Sequence, residues 1–161
     1  MPYRLSVAGL LFATLPMFAA DAPNANAPLA VAVKEGNRVA ALELIAKKPA
    51  EVNAAEADGT TALLWAANGN DADLVSRLLK AGANPNVRNQ LGSTPLGAAV
   101  FNSNTGMVKA LLDAGADPNA AGPDGQTPLM MVGRTPNVAA AKLLLDKGAN
   151  PNLTEAQRGQ T

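Results

Sequence analysis

The feature that most constrains this chain is a nine-residue phrase that returns at a fixed interval. LLKAGANPN stands at residues 78–86, LLDAGADPN at 111–119 and LLDKGANPN at 144–152, so the copies lie 33 residues apart. A period in this range is typical of a solenoid, in which each unit is one supersecondary motif that buries its apolar face against its neighbours. The sequence therefore predicts a stack of similar units.

Each unit carries the signals for two helices. A threonine recurs with the period, at Thr61, Thr94 and Thr127. A threonine hydroxyl can cap a helix, and Pro95 and Pro128 then occupy the first helical position, where a missing N–H costs nothing. After a polar break, a second apolar stretch ends at a glycine such as Gly82, which suits the left-handed conformation just past a helix end. We expect helix, turn, helix and then a projecting hairpin or turn.

These patterns resemble a known family. The openings GTTALLWAA, GSTPLGAAV and GQTPLMMV, each followed by Leu-Leu-x-x-Gly-Ala-x-x-Asn, are similar to the ankyrin repeat with its Thr-Pro-Leu-His opening. The resemblance implies an all-α fold, an ankyrin-repeat solenoid of helix-turn-helix units with projecting β-hairpin or turn loops. In place of the family's histidine, which hydrogen-bonds between units, this chain has Leu64, Gly97 and Met130, so we expect a looser stack.

The resemblance covers residues 28–161 and divides them into repeats. Gly159, Gln160 and Thr161 repeat the Gly-Gln-Thr that opens an earlier unit at Gly125, so we expect a truncated copy of a longer protein, or a gene fragment. The expected units are a degenerate repeat at 28–57, three clear repeats at 58–90, 91–123 and 124–157, and the start of another at 158–161.

The first 27 residues have a different composition. Residues 1–20 combine a positive charge at Arg4, an apolar run from Leu5 to Phe18 and two small residues, which is the order of a secretory signal peptide. The run is short for a membrane span, which needs about 20 apolar residues. Residues 21–27 are a proline- and alanine-rich linker. We expect export to the periplasm or medium; a membrane-tethered chain with an uncleaved leader is the alternative, and a buried N-terminal helix is a weaker one.

The composition excludes several kinds of chemistry. The chain has no Cys and no His, which excludes disulfides, thiol nucleophiles, Ser-His and Cys-His catalysis and histidine-bearing zinc sites. Thirteen basic residues balance thirteen acidic ones, so no net field favours nucleic acid. We expect no metal and no cofactor. Only carboxylate chemistry of the kind glycosidases use stays open, and the acidic residues are scattered.

The resemblance implies a non-catalytic protein–protein interaction module, not an enzyme. The partner would be another protein, bound on a concave face formed by hairpin tips and first helices, and we expect a monomer. Alternatives are a structural or spacer domain of a larger exported protein, or part of a carboxylate-dependent hydrolase. Phe101 and Arg134, one repeat apart, have the composition of a binding hot spot, unless Phe101 packs and Arg134 is merely solvated. The implied partner-binding residues are Arg88, Gln90, Leu91, Phe101, Asn102, Asp124, Gln126 and Arg134.

Overall fold

The structure is a computed structural model that describes residues 27–135 and 137–154. The predicted signal peptide at 1–20, all of the linker except Ala27, and the repeat start at 158–161 lie outside the described residues. The expectations for those segments therefore stay predictions.

The described chain forms four consecutive pairs of α-helices. Loops precede α3, α5 and α7, the first helices of the second, third and fourth pairs, and a short turn separates the two helices of a pair. The helices are α1 Pro28–Lys34, α2 Arg38–Lys47, α3 Ala62–Asn68, α4 Ala72–Lys80, α5 Pro95–Phe101, α6 Thr105–Asp113, α7 Pro128–Val132 and α8 Val138–Asp146. One turn of 3-10 helix, Pro49–Glu51, follows α2.

The pairs stack into two layers of helices. In the first layer α1 packs on α3, α3 on α5 and α5 on α7, and in the second layer α4 packs on α6 and α6 on α8. The core lies between the layers and runs the length of the stack, as expected when each unit buries its apolar face only against its neighbours. The predicted all-α solenoid is confirmed. The largest fully buried side chains of the core include Leu63, Leu78, Leu96, Met107, Leu111 and Leu144.

Side-chain caps begin the helices of every clear repeat. The hydroxyl of Thr94 accepts a 3.1 Å hydrogen bond from the amide of Gly97, and Thr61 and Thr127 cap α3 and α7 in the same way. These bonds satisfy backbone donors that a helix start leaves free, so the predicted threonine caps are confirmed. The second helices use Asn or Asp instead. Their caps are Asn37, Asp71, Asn104 and Asn137.

Left-handed glycines follow the second helices of the three clear repeats, as predicted. Gly82 has φ +90°, and Gly115 and Gly148 have φ +89° and +91°. In the turns between paired helices, Asn70 and Ser103 also have positive φ, of 57° and 53°. A short polar side chain makes that conformation tolerable without glycine.

The projecting loops are tight turns. In the loop before α3, the amide of Glu56 donates to the carbonyl of Thr60 at 2.9 Å, and Gly59 turns the chain with φ +82°. The only β-pairing within residues 27–135 and 137–154 is an isolated bridge between Ala55 and Thr61. Of the two predicted forms, hairpin or turn, the loops take the turn.

Asparagine side chains join successive repeats at the loop end. The amide of Asn53 donates to the carbonyl of Gly82 at 3.0 Å, and its oxygen accepts from the amide of Asn84 at 2.7 Å. This pair of bonds gives the periodic asparagine a physical reason, because each one holds the loop of the next unit. Asn86 makes the same two bonds to Gly115 and Asp117, and Asn119 makes them to Gly148 and Asn150.

The second helix of the last described repeat buries fewer side chains than the second helices of the other two clear repeats. Helix α8 buries only Ala140 and Leu144, whereas α6 buries four side chains. The clearest difference lies at one shared position, where Leu112 is 4% exposed and Leu145 is 48% exposed. Alanines at 140 and 141 stand where α4 has Leu74 and Val75, so this helix brings less apolar bulk to the core.

Candidate functional site

A hollow of about 430 Å³ opens between α5, α7 and the loop that precedes α7. Ala98 and Phe101 of α5 and Met131 of α7 form apolar walls, and Pro123 and Asp124 of the loop close one side. We call the surface formed by the first helices and the loop tips the concave face. A partly enclosed apolar hollow with a few polar groups is the usual form of a binding pocket.

The hollow exists because the third repeat has small residues at two adjacent positions of its first helix. There α5 carries Gly97 and Ala98, whereas the repeats on either side carry large side chains. With no side chain of similar length in the middle repeat, the space beside Met131 stays open. The large equivalents are Leu64 and Trp65 in α3, and Met130 and Met131 in α7.

Phe101 stands at the rim of this hollow with most of its ring in solvent. Its side chain is 79% exposed, although it ends a helix whose other large residues are buried. Arg134 occupies the equivalent position one repeat later and is also exposed. Among the described residues Arg134 makes no ion pair. With Glu35 and Asn68, these residues form an exposed row along the ends of the first helices.

Three other predicted site residues hold neighbouring repeats together. The side-chain amide of Asn102 donates to the carbonyl of Ala67 at 3.0 Å and thereby satisfies the end of α3. Arg88 donates to the carbonyl of Gly122 at 3.4 Å, and the side-chain amide of Gln90 donates to the carbonyl of Ala57 at 3.0 Å. Each of these three side chains therefore bonds to a main-chain carbonyl of an adjacent repeat.

The remaining predicted residues differ in their access to solvent. Leu91 and Asp124 occupy the same position in successive loop tips, and both are exposed. Gln126 is only 6% exposed, so its side chain presents little to a partner. The equivalent positions hold Thr60, which is buried, and Ser93, which is half-buried. Position 126 therefore lies on the inner side of the loop, and we leave it out of the proposed contact surface.

The comparisons with known proteins agree with this architecture. A family model described as ankyrin repeats (three copies) matches residues 10–89, 29–121 and 63–155. The chain belongs to the ankyrin repeat family. Ankyrin repeats are generally protein–protein interaction modules, and the family and its fold are typically non-catalytic.

A solved ankyrin structure is similar to this domain. It is the crystal structure of an ankyrin repeat domain from Acinetobacter baumannii AYE, at 34% sequence identity and a TM-score of 0.69. The match covers 76% of this chain and 65% of that chain, just under two thirds of its length. No curated protein sequence matches the chain. Within the part of the ankyrin domain that the structure describes, no helix is long and apolar enough to cross a membrane.

A polar cluster that the sequence pattern does not predict joins the first two repeats. The carboxylate of Glu56, which is buried, accepts a 2.6 Å hydrogen bond from the indole of Trp65 and lies 3.1 Å from the ammonium of Lys34. That ammonium is also 5.1 Å from the centre of the Trp65 ring, within cation–π range. The cluster fastens the degenerate first repeat of the ankyrin domain to the second, and Trp65 has a polar role besides filling space.

The acidic loop at 56–58 serves the fold. Both carboxylate oxygens of Asp58 accept hydrogen bonds of 2.9 Å from Thr60, one from its amide and one from its hydroxyl. The backbone bond, followed by the hydroxyl bond, holds the pKa of Asp58 below its usual value. Among the described residues no group of three His, Cys, Asp or Glu could hold a metal ion.

Two hollows of the described domain each have one carboxylate among their lining residues. The 430 Å³ hollow has Asp124 among its lining residues, and a second hollow of about 210 Å³, near Trp65, has Asp71. Asp71 is ion-paired with Arg38 and caps α4. An acid–base mechanism of the glycosidase kind needs two carboxylates facing one substrate, and neither hollow has that arrangement.

Proposed function

We propose that this ankyrin repeat domain binds another protein through its concave face, formed by the loop tips and the first helices. The observation that carries the proposal is the exposed ring of Phe101 beside a 430 Å³ apolar hollow. A phenylalanine that is 79% exposed contributes little to the folded core, whereas interface cores are enriched in aromatic and arginine side chains.

The proposed contact residues are those whose side chains do not hold the stack together. Asn102, Arg88 and Gln90 are bonded to adjacent repeats, so their replacement would change stability as well as binding. The side chains that remain free to meet a partner are Leu91, Phe101, Asp124 and Arg134.

We also propose that the domain acts after export. The support is in residues 1–20, where Arg4 and the apolar run from Leu5 to Phe18 have the order of a cleaved leader. N-terminal sequencing of the chain recovered from the periplasm or medium should begin near Asp21 or Pro23. An uncut chain in the membrane fraction would instead support the tethered form, and an uncut chain in the cytosol would refute export.

Site-specific photocrosslinking tests the proposed function. Benzoylphenylalanine placed at Phe101 or at Arg134 should give a discrete crosslinked species in cells that make the chain. The matched control places the same probe at Ala139, which is exposed on α8 in the second helix layer. Crosslinks from Phe101 and Arg134 but not from Ala139 support a concave-face partner. Equal crosslinking from all three, or none from any, would instead favour a spacer role.

A further inference from the structure

We propose that the hollow between α5 and α7 accepts an arginine side chain of the partner protein, an inference that rests on the proposed function. The hollow is the place on the concave face where one repeat lacks the side chains that its neighbours have. Its size, about 430 Å³, lies in the range of roughly 300 to 1,000 Å³ that is typical of ligand pockets.

The walls suit the aliphatic part of a long side chain. Ala98, Met131 and Pro123 provide an apolar lining, against which the methylene stem of an arginine can lie. At the rim, Phe101 is 79% exposed, so its ring is accessible to a flat cation. A guanidinium stacks on aromatic rings and loses less hydration than an ammonium, which favours arginine over lysine at such a position.

The hollow presents hydrogen-bond acceptors, which favour a partner side chain that donates hydrogen bonds. Asp124 is the one charged residue among those that line it. One carboxylate oxygen of Asp124 accepts a 3.1 Å hydrogen bond from the amide of Gln126, and the other has no partner among the described residues. The side-chain amide nitrogen of Asn102 is already bonded to the end of α3, which leaves its oxygen available as an acceptor.

No basic side chain of the described chain neutralises Asp124. Arg88 donates to the carbonyl of Gly122, and neither Arg88 nor Arg134 forms an ion pair with Asp124. An arginine carries five donors and no acceptor, so it matches a site that presents a carboxylate and an amide oxygen. An acidic side chain of a partner would be repelled at the same place.

Peptide selection on the full chain tests this assignment. A random peptide library displayed on phage is panned against the chain, and the selected peptides are resynthesised with each arginine replaced by citrulline, which keeps the shape and removes the charge. We expect the selected peptides to contain an arginine whose replacement weakens binding about tenfold or more, as the loss of a charge-assisted hydrogen bond does.

Two variants of the chain test whether the arginine of the selected peptides binds in the hollow. Asp124→Asn removes the charge but keeps an oxygen for the amide of Gln126, and Ala98→Met fills the hollow with the residue that α7 has at that position. Each should weaken binding of the selected peptides about tenfold. The matched control is Asp117→Asn, an exposed loop position where other repeats already have Asn84 and Asn150, and it should leave binding unchanged.

The outcomes separate the two proposals. One outcome would overturn the arginine pocket and leave concave-face binding intact. In that outcome Phe101→Ala weakens binding of the peptides, whereas Asp124→Asn, Ala98→Met and citrulline leave it unchanged. If Phe101→Ala also leaves binding unchanged, both proposals are overturned. A library that yields no binding peptide would overturn both as well. Circular dichroism of each variant confirms that the stack is folded, and Asp124→Asn alone decides the matter if Ala98→Met unfolds.

Discussion

The side-chain oxygen of Asn86 accepts a 2.8 Å hydrogen bond from the main-chain amide of Asp117, one repeat further along the chain. The same side chain donates to the carbonyl of Gly115 at 2.9 Å. Both partners are main-chain groups, so the link does not depend on which side chains the next repeat carries. One asparagine per unit can therefore hold a stack of units whose surfaces differ.

Replacing that asparagine should weaken the stack. Asn86→Ala removes two hydrogen bonds and leaves a carbonyl and an amide of the next loop without their partner. We expect the free energy of unfolding to fall by about 1 to 2 kcal/mol, measured by urea denaturation. Asn152→Ala is the matched control, since the side chain of Asn152 makes no hydrogen bond within the described residues. Equal effects of the two substitutions would contradict the proposed link.

Leu112 and Leu145 occupy the same helix position in successive repeats and should respond differently to truncation. Leu112→Ala opens a cavity in the core and should destabilise the domain by roughly 2 to 5 kcal/mol. Leu145 is 48% exposed, so Leu145→Ala should cost about 1 kcal/mol or less. Thermal or urea unfolding of the two variants gives the comparison. A larger loss for Leu145→Ala would mean that the face of α8 is covered in solution.

Asp113 should make stability depend on pH in the acid range. Hydrogen bonds from Lys109 at 2.5 Å and from Lys147 at 2.8 Å lower its pKa from 3.8 to about 2. Because the folded-state pKa is lowered, the stabilisation is fully present above pH 3.8 and is lost as pH falls through about 2. We therefore measure the urea midpoint of unfolding of the natural chain and of Asp113→Asn. The difference between the two midpoints should be constant above pH 5 and shrink below pH 4. It should also shrink in high salt, which screens the ion pairs.

The control for Asp113 is the same position one repeat later. Asp146 ends α8 as Asp113 ends α6, but it forms no ion pair within the described residues. Asp146→Asn removes the same charge without breaking an ion pair, so above pH 5 it should lower the unfolding midpoint less than Asp113→Asn does. If Asp113→Asn behaves in the same way, the lysine contacts contribute nothing measurable in solution, as is common for exposed ion pairs.

The repeat pattern was sufficient to predict the helix pairs, because their signals are local. Thr94 caps α5, which begins at the next residue, and Gly82 lies two residues past the end of α4, so spacing along the chain is enough to assign both. The loss of the family's histidines led us to expect a looser stack, which stays a prediction. The links from Asn53 and Asn86 could not be foreseen in detail, since their partners lie about thirty residues away and depend on how units stack.

The site was less predictable than the fold because it depends on features outside the period. The contacts of Glu56 with Lys34 and Trp65 involve types that no other repeat has at those positions. The hollow at Ala98 arises from missing bulk, which matters only once the neighbouring helices are in place. For Gln126 a sequence signal was available, because the equivalent positions of the other repeats hold the small residues Thr60 and Ser93, which suit the inner side of a loop.

The most direct test of the central claim is the affinity of the chain for its crosslinked partner, measured by calorimetry for Phe101→Ala and Arg134→Ala against Leu111→Ala. We expect each of the first two to weaken binding by about 2 kcal/mol or more while helical content and unfolding midpoint stay unchanged. Leu111 is fully buried, so its replacement should instead lower stability by roughly 2 to 5 kcal/mol. Unchanged affinity in both surface variants, or unfolding like that of Leu111→Ala, would contradict a binding site on the concave face.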